Sequence, residues 1–67
     1  MNQSVRAAYG GVKFIIEVTP MGDAFTCDWA CELCGKSVQL DAAFPNAEAA
    51  ITTAKDAARI HAIVHRK

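Results

Sequence analysis

Sixty-seven residues leave room for one domain around one hydrophobic core, and none for a barrel that could house a cofactor and its substrate. Apolar residues make up 52% of the chain, but thirteen of its residues are alanines, which bury little area each; below roughly 70–80 residues such a core alone supplies only about 3–5 kcal/mol, so a staple is expected. Seven basic and seven acidic side chains cancel to zero net charge, without the basic excess that a dedicated nucleic-acid binder carries to neutralise phosphates.

The stretch 1–11 carries weak signals and ends in Gly10-Gly11, which predicts a flexible N-terminal tail ahead of a single domain over 12–67. No apolar run follows a basic start, so no secretory signal is expected. The run Phe14-Ile15-Ile16 is far too short for a bilayer span. From Val12 to Thr19, Val12, Phe14, Ile16 and Val18 alternate with Lys13, Ile15, Glu17 and Thr19, the period of a half-buried strand. Pro20-Met21-Gly22-Asp23 reads as a turn. A second strand over 24–30 places Phe25, Cys27 and Trp29 on one face. A short third strand over 37–40 follows, with Val38 and Leu40 together, and Asp41 to Pro45 is a connection.

Asn46 is placed to cap a helix that runs to the end of the chain, with Glu48 in its first turn and Arg59, Arg66 and Lys67 towards its end, as the helix dipole prefers. Ile51, Ala54, Ala58, His61 and His65 recur at spacings of three and four and form one stripe, widened by Ala47, Ala50, Ala57, Ile60 and Val64. The fold class is therefore α+β: a small three-stranded antiparallel sheet in the order β-β-β-α, with one long C-terminal helix packed on it.

Two motifs carry the chemistry. Cys31-Glu32-Leu33-Cys34-Gly35-Lys36 supplies two thiolates on a tight reversal, and His61 and His65 stand at i and i+4 on one helix face. Zinc takes four N or S ligands in a tetrahedron, and Cys31, Cys34, His61 and His65 are the metal ligands this pairing predicts. The geometry closes. A segment of strand and connection carries the chain at most roughly 30 Å from Cys34, and the helix returns it by roughly 22 Å at His61. Cys27 lies roughly 13 Å along its strand from Cys31, while sulfurs sharing one zinc stand within about 4 Å of each other. It is expected to be a buried core thiol. An odd number of cysteines, three, argues against a secreted disulfide framework and for reduced thiols in the cytoplasm.

An aromatic residue two positions before the first cysteine (Trp29), the CxxC, the Gly35-Lys36 that follows and the later HxxxH resemble the two-Cys, two-His zinc finger family, of zinc-knuckle type. The resemblance implies one zinc held by the same four residues. The spacing departs from it, with twenty-six residues between Cys34 and His61 against about twelve in the common finger. Base reading from the helix start is not implied, because Ala47-Glu48-Ala49-Ala50 offers nothing suited to base edges. Cys27, Cys31 and Cys34 together are similar to the cluster loop of radical SAM enzymes, which need a barrel this chain cannot build.

Four protein ligands leave no open position on the metal, so the zinc is expected to be structural and the chain not an enzyme, with no small-molecule substrate. Function then means interaction. Zero net charge, with Ile15 and Ile63 on faces that should be solvated, favours a protein-interaction module. The alternative is a nucleic-acid-binding accessory or regulatory protein that uses Lys55, Arg59, Arg66 and Lys67 along the outer helix face.

Overall fold

The computed structural model describes residues 3–65. Four strands, β1 (Gln3–Tyr9), β2 (Val12–Met21), β3 (Ala24–Cys31) and β4 (Ser37–Gln39), precede one helix, α1 (Ala47–Val64). They form a single antiparallel meander in the order β1-β2-β3-β4, with α1 packed across one face and touching β1, β2 and β3.

The sheet has four strands rather than three, because the segment expected as a flexible tail is β1. Gln3 pairs with Val18 and Tyr9 with Val12. Gly10 and Gly11 are the central residues of the hairpin, with φ of 58° and 84°. Two positive φ values in a two-residue loop make a type I′ turn, whose twist matches that of the flanking strands. The glycine pair fixes a hairpin instead of loosening a linker.

Period two decides which side of the sheet is buried. Val12, Phe14, Ile16 and Val18 of β2 and Cys27, Trp29 and Cys31 of β3 point inward and are buried. The register sets Phe14 against Cys31, Ile16 against Trp29 and Val18 against Cys27. Val5, Ala7 and Tyr9 of β1, with Val38, extend this face at its margins. The opposite face carries no layer among the described residues, and Ile15 is half-buried there between Arg6 and Ala30.

The helix begins where expected: the Asn46 side chain accepts a hydrogen bond from the Ala49 amide at 2.7 Å. Its buried residues are Ala50, Ala54, Ala58 and Ala62, four small side chains one turn apart that let the backbone lie close on the sheet. Ile60 and Val64 do not widen the buried stripe; they are 64% and 70% exposed. At about 100° per residue, the alanine arc is centred between Ala54 and Ala58. Ile60 then falls about 140° and Val64 about 100° away, whereas His61 and His65 stay within about 40°.

Candidate metal centre

Cys31 is the last residue of β3, on the inward face, buried and paired across from Phe14. From there the chain reverses over Glu32 to Lys36. The Cys31 amide donates to the Lys36 carbonyl at 2.7 Å, and the Gly35 amide donates to the Cys31 carbonyl at 2.9 Å. Gly35 sits at φ 77°, a left-handed conformation that side chains with a Cβ resist. The Glu32 amide donates to the Lys13 carbonyl at 2.9 Å, tying the reversal to β2. Cys34 is thereby held exposed at the outer side of the loop, facing the end of α1.

The helix brings its two histidines to the same point. Cys34 Sγ stands 3.4 Å from His61 Nε2, Cys31 Sγ 3.7 Å from His65 Nε2, and the two Nε2 atoms 3.2 Å apart. All four donor atoms lie within 4.8 Å of one another. In a tetrahedron built with Zn–S near 2.3 Å and Zn–N near 2.05 Å, S–N edges are about 3.5 Å and the N–N edge about 3.3 Å. The two S–N spacings and the N–N spacing given above match those edges, while the set as a whole spans up to 4.8 Å. Two imidazole nitrogens with converging lone pairs also repel at this distance unless a cation or proton lies between them. This two-Cys, two-His group can hold one metal ion.

Aromatic rings wall the inner side. The single tryptophan of the chain, Trp29, packs on His61 at a centroid distance of 5.2 Å and on Phe14 at 5.8 Å, edge to face, and Phe14 meets His61 at 6.1 Å. The Trp29 Nε1 is buried without a hydrogen-bond partner among the described residues.

Titration at the site leans towards ligation. Burial pushes the Cys31 thiol up, but the backbone amides of Cys34 and Leu33 and the Cys34 thiol more than offset this, and its pKa lies below the usual thiol value. Partial desolvation, then the nearby His65 and Lys36 charges, push the His61 pKa down. Both shifts favour the form that binds metal, thiolate and neutral imidazole.

All four ligands expected from the sequence meet here. Cys27 does not join them: its thiol is buried and donates to the Ala50 carbonyl at 3.3 Å. Burial, with the Asp28 charge second, raises its pKa, which suits a core thiol. Of the basic side chains expected on the outer helix face, Arg59 pairs with Asp56 at 3.2 Å, Lys55 is exposed, and Arg66 and Lys67 lie outside the described residues. What sequence reasoning missed is the aromatic wall. Period two placed Trp29 and Phe14 on the inward face, but the reach of His61 to both rings depends on how close the alanine spine brings the helix.

No family model matches the chain, and no curated protein and no solved structure matches it.

Proposed function

We propose that the chain is a small domain stapled by one structural zinc ion and that it works as a protein-interaction module. The observation that carries the zinc reading is the convergence of two thiols and two imidazoles, Cys31, Cys34, His61 and His65, within 4.8 Å. A mixed S₂N₂ donor set suits zinc, whereas the hard cations calcium and magnesium take oxygen ligands. Zinc bound there joins the end of β3 to the end of α1, so binding contributes directly to folding. With all four positions taken by protein, the ion has no place for a water or substrate, and the chain is not an enzyme. Reduced metal-binding thiols fit the cytoplasm.

The interaction reading rests on what the fold leaves outside. Leu33, within the reversal, and Ile60, Ile63 and Val64, at the end of α1, are large apolar side chains in solvent, and the net charge is zero. The nucleic-acid reading has less support, because Asp56 engages Arg59 and dilutes the basic face. No helix among the described residues is long and apolar enough to cross a membrane.

Two experiments test these readings. Chelation with EDTA should collapse the dispersed amide spectrum; a chain that stays folded without metal contradicts a structural ion. Titration with DNA and RNA at low and high salt should show no binding. Affinity that falls steeply with salt, and is lost in Arg59→Ala, would favour nucleic acid instead.

A further inference from the structure

β1 is an edge strand that, among the described residues, carries Arg6 as its one protective charge. Among the described residues it pairs only with β2, and it spans seven residues, Gln3–Tyr9, with one charged side chain, Arg6, no proline and an unbroken register against β2. Natural edges are ordinarily protected by charges, prolines, bulges or brevity. The other edge of this sheet is protected: β4 has three residues, and beyond it Phe44 exchanges backbone hydrogen bonds with Phe25 at 2.8 and 2.9 Å.

The type I′ turn fixes which backbone groups are free. In such a hairpin the residues flanking the two-residue loop, Tyr9 and Val12, form a hydrogen-bonded pair, and the pattern then alternates. Tyr9, Ala7, Val5 and Gln3 direct their N–H and C=O groups to β2, and Ser4, Arg6 and Ala8 direct theirs outward.

We propose that β1 is a self-association edge, which pairs antiparallel with β1 of a second copy of this chain to make one continuous eight-stranded sheet. Charge selects the register. Centring the pair on Arg6 would set the two guanidinium groups directly opposite each other, which is destabilising. Moving the centre to Ala7 removes that clash. Arg6 then exchanges both backbone hydrogen bonds with Ala8 of the second copy, and Ala8 with Arg6 of the second copy. On the inner face Val5 meets Tyr9 of the second copy, an aromatic–β-branched pair of the favourable kind. Both helices lie on the same side of the joined sheet. The groove bordered by Tyr9, Gly10, Arg59 and Ile63 meets this seam at Tyr9, and Val5, Ala7 and Tyr9 are half-buried along the inner face of β1. The pairing involves neither the metal ligands nor the Leu33 and Val64 surface, so it stands or falls separately from the zinc reading.

The test is sedimentation equilibrium of the zinc-loaded full chain from micromolar to millimolar concentration, with Ala8→Lys and Ala8→Glu beside the parent. The centred-on-Ala7 register sets position 8 opposite Arg6 twice, so Ala8→Lys should weaken the dimer about 2- to 30-fold and Ala8→Glu should tighten it. Amide exchange of the parent, which depends on no variant, should show Arg6 and Ala8 gaining protection as concentration rises. A monomer throughout, exchange at Arg6 and Ala8 that ignores concentration, or a dimer indifferent to the charge at position 8 would overturn the proposal.

Discussion

Cys31 and Cys34 have only two residues between them but differ in their physical setting. Cys31 is a buried member of the core, so removing its thiol disturbs packing as well as ligation. Cys34 is exposed, so its removal should act through loss of the sulfur donor rather than through packing. Protons compete with metal for every donor in the set, and the folded-state shifts set the direction. His61 is depressed below its ordinary 6.5; its contribution to stability is present above that value and is lost as pH falls through the folded pKa, because the unfolded chain takes the proton first. Cys31, lowered from 9.0, has the same sign: its contribution is present above 9.0 and fades as pH falls through its folded value. Acid should therefore release the metal and unfold the protein together, as both contributions are lost with falling pH. Parallel circular dichroism and free-metal titrations check this; metal release with the fold intact would contradict it.

The elements were unequally legible in the sequence, for identifiable reasons. β2 and β3 announce themselves because branched and aromatic side chains alternate along them. β1 does not: Ala7 and Ala8 carry almost no strand preference, and a Gly-Gly pair reads equally as hinge or turn until the strands on either side are seen. The helix was legible at its start, where Asn46 caps it; Asn46→Ala should cost about 1 kcal/mol in urea unfolding. Its buried face was legible only in part. Ile60 and Val64 were expected on it because they are apolar, whereas the face that touches the sheet is the alanine row Ala50, Ala54, Ala58 and Ala62. That row has no space for larger groups. Ala54→Leu should destabilise the fold by about 1–3 kcal/mol through overpacking. It should also weaken metal binding, since a helix lifted off the sheet carries His61 and His65 away from the cysteines. An Ala54→Leu variant as stable as the parent would contradict close helix–sheet contact.

For the whole molecule, the four candidate ligands were legible because thiolate and imidazole pairs at ligand spacing are scarce in so short a chain, and strand and helix lengths bring them together. Their closeness, and the packing of Trp29 on His61, came only with the fold. The candidate metal site lies where the reversal after β3 meets the end of α1, two ends that the chain connects only through β4, a loop and the whole helix. A metal bound there would lock helix to sheet, which a helix whose buried face is four alanines needs more than one that buries leucines. Titration of the metal-free chain with Co²⁺, read by visible absorption and by the fluorescence of Trp29, tests this most directly. One equivalent should bind with the spectrum of a tetrahedral S₂N₂ centre and quench the indole 5.2 Å from His61, in the parent and in Cys27→Ser, and the signal should be weakened or lost in Cys34→Ser. A site that survives Cys34→Ser, or that needs Cys27, would contradict the assignment of Cys31, Cys34, His61 and His65 as its ligands.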